Sequence, residues 1–366
     1  MKYFLIAGEA SGDNHAADLI RAIKVRDAQA EFAFWGGDAM ADASDGLRMH
    51  YKEYSIMGFI EVLLQIRKIS NMMTQCKSHI MDFKPDVVIL VDFPGFNLRI
   101  AEFCKQQSIK VIYYIAPKVW AWKEGRVKKL EQFTDKVLLI LPFEETYFNQ
   151  FKVNAVFVGN PSYEQVNKFV PDKMFVKNHL TENKPLIALL PGSRKQEIKQ
   201  MLPLMSELAI TYPNFQFIVA GAPSLQQKDY QKYTAPNLNV VFGKTYDILS
   251  YSKAAIVCSG TATLETALFG VPQICGYKGN LISYLIARML VNIKYISLVN
   301  LCLNKPLIKE LIQFDWNKEN VQREFEKIIG GQSREEMLAG YQDLKNLLQF
   351  EKASEKAADE ILAVLT

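Results

Sequence analysis

Short runs rich in valine, isoleucine, leucine and aromatic residues alternate with amphipathic segments from the first residues onward. This alternation restricts the chain to parallel strands joined by crossover helices. The first series of runs is Lys2 to Ala7, Glu31 to Trp35, Asp86 to Val91, Lys110 to Ile115, Lys136 to Leu141 and Ala155 to Val158. A polar stretch from Gly159 to Pro185 interrupts the pattern. It restarts with Leu186 to Leu190, Phe215 to Ala220, Leu238 to Phe242, Ala254 to Cys258 and Gln273 to Gly276. A length of 366 residues exceeds what one hydrophobic core usually serves, so two domains are expected. The expected architecture is α/β, with two Rossmann-like domains in tandem facing a cleft: residues 1–163, residues 164–342, and a C-terminal helix over 343–366. Leu344, Leu347 and Leu348 stand in helical register there, and the helix is expected to pack on the first domain or on a partner subunit.

The charge balance, 43 basic against 39 acidic side chains, lacks the excess that a nucleic-acid-binding domain carries, so no nucleic-acid partner is expected. Five widely spaced cysteines without a C-x-x-C pair predict reduced thiols in a cytosolic protein. The apolar run at Phe4 to Ala7 is too short for a signal-peptide core, and no run reaches the length of a membrane span. Any meeting with a membrane is therefore expected at its surface. His15, His50, His79 and His179 have no partners at metal-ligand spacing, so neither a metal nor another cofactor is expected.

In the first half, Gly8 to Asp13 is expected to turn from a strand into a helix over Asn14 to Lys24, where backbone N–H groups favour anionic or hydroxyl-bearing ligands. The G-x-G-x-x-G spacing is absent, and a plain turn with a helix cap explains the glycines equally well. Glu9 stands at a strand's C-terminal end, where open α/β sheets bind ligands. Asp92 occupies the same kind of place after an apolar run, and a carboxylate desolvated on one side suits a general base. Capping of the turn at Pro94 and Gly95 accounts for Asp92 as readily. From Pro117 to Lys129 five cations face one acid, with Trp120 and Trp122 between them; such a loop can grip phosphate or lie at a membrane interface. The alternative is a solvated basic helix start. Phe59 to Met73 is expected to be a helix with more apolar surface than one face can bury. It would serve as a packing helix or as an interfacial one.

In the second half, Gly192, Ser193 and Arg194 follow a strand; the glycine admits a phosphate close to the backbone and the arginine offers a charged fork. Ser259, Gly260 and Thr261 lead from another strand into a helix and bring N–H and hydroxyl donors to a diphosphate. Glu265, a turn later, is placed to accept from ribose hydroxyls. Ordinary helix caps explain each loop singly. No Walker A loop is present.

Taken in order, Gly8 to Asp13, Ile56 to Phe59, Asp92 to Asn97, Pro117 to Trp122, Leu141 to Glu144, Leu189 to Arg194, Ser259 to Glu265 and Ser297 to Leu301 resemble the lipid A disaccharide synthase family over nearly the whole chain. The resemblance implies an inverting GT-B glycosyltransferase. Such an enzyme moves 2,3-diacylglucosamine from UDP-2,3-diacylglucosamine to 2,3-diacylglucosamine 1-phosphate (lipid X), giving a β-1,6 disaccharide and UDP. It implies Asp92 as general base, Arg194 at the diphosphate, Glu265 at the ribose, and Glu9 and Asn300 at the catalytic centre. Met57, Phe59, Leu63, Ile66, Lys118, Trp120, Trp122, Lys123 and Arg126 are then expected to contact the acceptor or the membrane. The expected location is cytoplasmic, peripheral on the inner membrane, with a homodimer through the C-terminal helix. Gly95, Asn160 and Val299 depart from the family pattern, and no role is carried over to them. A UDP-N-acetylglucosamine epimerase or another UDP-sugar transferase on the same scaffold remains the competing reading.

Overall fold

The computed structural model describes residues 1–54, 66–120, 125–181, 184–280, 284, 293–349 and 352–365. The chain divides into two units, Met1–Pro161 together with Phe350–Thr366, and Ser162–Gln349. In the first, strands β1 (Lys2–Ala7), β2 (Glu31–Gly36), β3 (Leu47–His50), β4 (Val87–Val91), β5 (Lys110–Tyr114), β6 (Lys136–Leu139) and β7 (Ala155–Phe157) form one parallel sheet in the order β3-β2-β1-β4-β5-β6-β7. The two-residue period of a strand sends Phe4 and Ile6 of β1 into one core and Tyr3, Leu5 and Ala7 into the other. Burial on both faces is why these strands are continuous apolar runs.

The second unit repeats the plan with β8 (Leu186–Leu190), β9 (Gln216–Gly221), β10 (Leu238–Phe242), β11 (Ser252–Cys258), β12 (Gln273–Tyr277) and β13 (Lys309–Ile312). Their order is β10-β9-β8-β11-β12-β13, again all parallel. Two strands not anticipated from the sequence, β3 and β13, both lie at sheet edges. Their residues are mostly exposed or half-buried, so they lack the apolar run that marks a central strand.

The first helix starts at Ala10 rather than at Asn14, and Glu9 is its N-cap residue. The helix runs through Gly12, which lies on β1 and β4; a Cβ there would meet Ala7 Cβ at 3.6 Å, an ordinary contact. Asp13, on this first turn, accepts hydrogen bonds from the backbone N–H groups of Gly37 (2.6 Å), Ala39 (3.0 Å) and Met40 (3.3 Å), and so caps the helix Asp38–Ala43.

Residues 343–348 do not begin a separate terminal helix. They finish the helix Gln332–Leu348, whose Leu344 and Leu348 are fully buried within the second unit. The last helix, Ala353–Leu365, packs within the first unit against the helix Ala10–Arg26, β5 and β6, where Ala357, Ala358 and Ile361 join the core. Arg26 pairs with Asp359 and, at 3.4 Å, with Glu355; Lys136 pairs with Glu360; Lys356 donates to the Phe157 carbonyl at 2.7 Å. Among the described residues no helix is long and apolar enough to cross a membrane.

Candidate active site

In the first sheet, strand order reverses between β1 and β4, and in open α/β sheets ligands gather beyond the strand ends at such a reversal. Glu9 follows β1 and Asp92 follows β4, so the two carboxylates flank this point. Gly8 lets them approach: the Phe93 ring lies on it so closely that a Cβ would fall 2.4 Å from a ring carbon. Ser11 Oγ donates to Glu9 Oε1 at 3.2 Å.

Asp92 and Phe93 both adopt left-handed backbone conformations, with φ of +46° and +47°, and Ile115 at the end of the neighbouring β5 has φ +65°. A β-branched residue rarely holds that conformation, so the strand ends carry strain that the surrounding bonds must offset. Those bonds are present. The Asp92 N–H donates to the Tyr114 carbonyl (3.0 Å), while its own carbonyl accepts from Tyr113 Oη (2.6 Å) and Asn97 Nδ2 (2.8 Å). Every main-chain group of Asp92 is thereby fixed, and its carboxylate accepts from the Phe93 N–H within the turn. The helix that follows, Pro94–Gln106, has Phe93 as its N-cap and no side-chain cap bond.

Burial, and secondly the negative charge of Glu9, raise the Asp92 pKa to about 6; Lys118, the Phe93 N–H and Arg126 pull in the opposite direction. A carboxylate with that affinity is mostly ionised at neutral pH yet binds a proton well, as a general base requires. Arg126 is held below its ordinary pKa by burial, against the opposing effect of Tyr113 and Asp92. Lys118 is exposed.

Trp120 donates its indole N–H to Glu144 Oε1 at 3.1 Å and packs edge-on against Phe143. Glu144 is almost wholly buried, and its other oxygen accepts from the N–H groups of Leu141 (3.0 Å) and Ile140 (3.3 Å). Burial raises its pKa to about 7. Met57, Phe59, Leu63, Trp122 and Lys123 lie outside the described residues, as does most of the helix expected at 59–73. Ile66 opens the helix Ile66–Phe83.

The second sheet reverses between β8 and β11, and there the other pair of loops meets. Gly192 has φ +109°, and a Cβ on it would strike Glu197, so only glycine serves this turn. Glu197 Oε2 accepts from the N–H groups of Ser193 (2.9 Å) and Arg194 (3.2 Å). The backbone donors expected to meet a phosphate here are thus engaged by Glu197 of the helix Lys195–Thr211, and its Oε1 pairs with the Arg194 guanidinium at 3.5 Å. Gly260, the N-cap of the helix Thr261–Leu268, has no side chain with which to cap it. That helix start is the better seat for an anion. Ser259 is anchored on both sides, its N–H donating to the Gly276 carbonyl (2.9 Å) and its hydroxyl to the Ile296 carbonyl (2.8 Å). Glu265 Oε1 accepts from Tyr246 Oη at 3.0 Å, and burial raises its pKa.

Asn300 differs from the role expected of it. It is 1% exposed, both amide hydrogens are donated, to the Ile308 carbonyl and to Glu310 Oε1 (2.9 Å each), and Oδ1 accepts from the Ile308 N–H (2.9 Å). Its side-chain amide is engaged by the Ile308 backbone and by Glu310. Of the three departures from the family pattern, Asn160 donates to the Ile140 carbonyl (3.0 Å), Val299 is buried, and Gly95 faces open space. Glu144, quoted only as the end of a motif, and Glu197 and Glu310 were given no role by sequence reasoning. For the first two a signal exists, a glutamate three residues after a helix N-cap, at Leu141/Glu144 and Arg194/Glu197. Among the described residues no group of three His, Cys, Asp or Glu side chains is arranged to hold a metal ion.

A family model described as lipid-A-disaccharide synthetase matches residues 3–362. The lipid-A-disaccharide synthase of Myxococcus xanthus (strain DK1622) is 36% identical over 375 residues, covering 100% of this chain and 97% of that protein. That of Syntrophus aciditrophicus (strain SB) is 38% identical over 371 residues, covering 99% and 97%. Among solved structures, UDP-GlcNAc 2-epimerase from Neisseria meningitidis bound to UDP-GlcNAc superposes with a TM-score of 0.69 at 14% identity, over 99% of this chain and 100% of that one. The calicheamicin glycosyltransferase CalG4 gives 0.61 at 13%, over 99% and 98%. These likenesses identify the two parallel sheets as a GT-B-like fold, and the full-length match in sequence settles the family: the chain belongs to the lipid-A-disaccharide synthases.

Proposed function

We propose that the chain transfers 2,3-diacylglucosamine from its UDP donor to the 6-hydroxyl of 2,3-diacylglucosamine 1-phosphate, with inversion, and without a metal ion. Family membership makes it a glycosyltransferase of lipid A biosynthesis, and the observation that carries the residue assignment is the raised proton affinity of Asp92 beside Glu9 at the reversal of the first sheet. Asp92 takes the proton of the acceptor hydroxyl as its oxygen bonds to the anomeric carbon. The bond from that carbon to the diphosphate breaks, and the electron pair leaves with UDP. Arg194 and the helix start at Thr261 stabilise the departing charge, and Glu265 binds the ribose. Lys118 and Arg126 attract the acceptor phosphate, and their pull on Asp92 supports that placement.

Both substrates carry acyl chains, so the reading includes peripheral attachment to the cytoplasmic face of the inner membrane through residues 56–66 and 118–126. A homodimer through the C-terminal helix would require exchange of that helix between copies, since its apolar face is buried in its own chain. Incubation of the two acylated glucosamines with the protein in a chelating buffer, followed by mass analysis, tests the reaction. The disaccharide 1-phosphate and UDP are the expected products. Asp92→Asn should abolish turnover while leaving UDP binding intact, and retained turnover in that variant would remove Asp92 from its role.

A further inference from the structure

One carboxylate in the second unit organises the segment against which the diphosphate loop rests. Glu310 stands on the edge strand β13. Its Oε1 accepts from the Ser297 N–H (3.0 Å), the Ser297 hydroxyl (2.7 Å) and Asn300 Nδ2 (2.9 Å), while Oε2 accepts from the Ile296 N–H (3.0 Å). The same Ile296 offers its carbonyl to the Ser259 hydroxyl at 2.8 Å. Asn300 closes the arrangement from behind by bonding Ile308 in both directions, which ties the helix Leu298–Leu303 to the approach to β13. Four donors converge on a single charged group, and charge-assisted bonds of this kind are the ones that hold a loop in one geometry.

We propose that Glu310 is a positioning residue for the donor diphosphate. It acts through Ile296 and Ser297 to fix Ser259, and with it the start of the helix Thr261–Leu268. The inference rests on the reading that this helix start receives UDP. Glu310 itself faces the Ile296–Asn300 segment and touches no substrate. Its geometry also predicts which replacement fails. An amide at position 310 can keep Oε1 toward Ser297 and Asn300, but it then sets an NH2 group against the Ile296 N–H. Two donors face each other, so the peptide joining residues 295 and 296 must rotate, and the Ile296 backbone that aims the next carbonyl at Ser259 shifts with it.

The test is calorimetric titration of the full chain with UDP, using the unaltered protein, Glu310→Gln, Ser259→Ala and the double variant, each checked for its thermal unfolding midpoint. UDP should bind about tenfold more weakly to each single variant, the equivalent of one charge-assisted hydrogen bond. The double variant should be no worse than the weaker single one, because both changes break one connection. In the transfer assay the KM for donor should rise while the KM for acceptor stays, a split that general loosening of the fold would not produce. Unaltered protein that fails to bind UDP would overturn the donor-site reading and this inference with it. Unaltered protein that binds UDP, with Glu310→Gln or Ser259→Ala binding equally well, would overturn the inference alone. So would losses that add in the double variant. Should Glu310→Gln fail to fold, Ser259→Ala cuts the same connection from its other end.

Discussion

The raised proton affinity of Asp92 has a thermodynamic consequence that can be measured without substrate. Its pKa moves from an ordinary carboxylate value of 3.8 to about 6 on folding. At neutral pH the protein therefore carries a charge that burial disfavours, and a shift of roughly two units corresponds to about 3 kcal/mol. The sign follows from proton binding. Between pH 4 and 6 the folded state holds a proton that the unfolded state has released, so the contribution of Asp92 to stability falls as pH rises and is fully lost above 6. Asp92→Asn removes the charge while keeping the shape. Stability of the variant relative to the unaltered protein should be close to zero at pH 4 and grow to about 3 kcal/mol in its favour by pH 8. Hydrogen exchange of the β1 and β4 amides, followed by mass spectrometry across that range, reports on the first unit alone. A variant whose protection tracks the unaltered protein at every pH would show that the carboxylate is not desolvated, and the case for its acting as base would fall with it.

Three further outcomes are expected. The pH profile of kcat/KM should rise to a plateau with an apparent pKa of about 6, and Lys118→Ala, which removes a cation that lowers the Asp92 pKa, should displace the profile toward higher pH; an unmoved profile would separate Lys118 from the site. Gly8→Ala forces a methyl group into the Phe93 ring and must shift the Asp92 turn, so activity should fall by about tenfold or more with only a modest change in unfolding midpoint, and wild-type turnover would contradict the close approach. Asp13→Ala strips three backbone N–H groups of their acceptor and should cost about 3 kcal/mol in urea unfolding, with Asp13→Asn costing less; a change within half of one kcal/mol would refute the capping role.

The central strands were legible because burial on both faces leaves an apolar run that nothing else in the sequence imitates. The edge strands β3 and β13 were not, since Leu47-Arg48-Met49-His50 and Lys309-Glu310-Leu311-Ile312 satisfy water on one side and a neighbour on the other. The site divides in the same way. Glu9 and Asp92 follow strand ends, and Arg194 and Glu265 stand in the loop after β8 and the helix after β11, positions that sequence patterning exposes. Glu310 escaped notice because its partners are backbone N–H groups and amides at 296–300, whose proximity is created only when β13 joins the sheet. Asn300 was expected at the catalytic centre from resemblance alone; its bonds to Ile308 and Glu310 are again ones that only the folded second unit creates.

The helix Ala353–Leu365 supplies Ala357, Ala358 and Ile361 to a core otherwise built from residues before 162. During synthesis, then, the earlier sheet leaves the ribosome with the face beside the helix Ala10–Arg26 only partly covered and waits through some two hundred residues for the rest, while everything needed by the later sheet has already emerged. The half made first is finished last, so a released chain ending at residue 350 should have a sound second sheet and a first sheet that clings to chaperones.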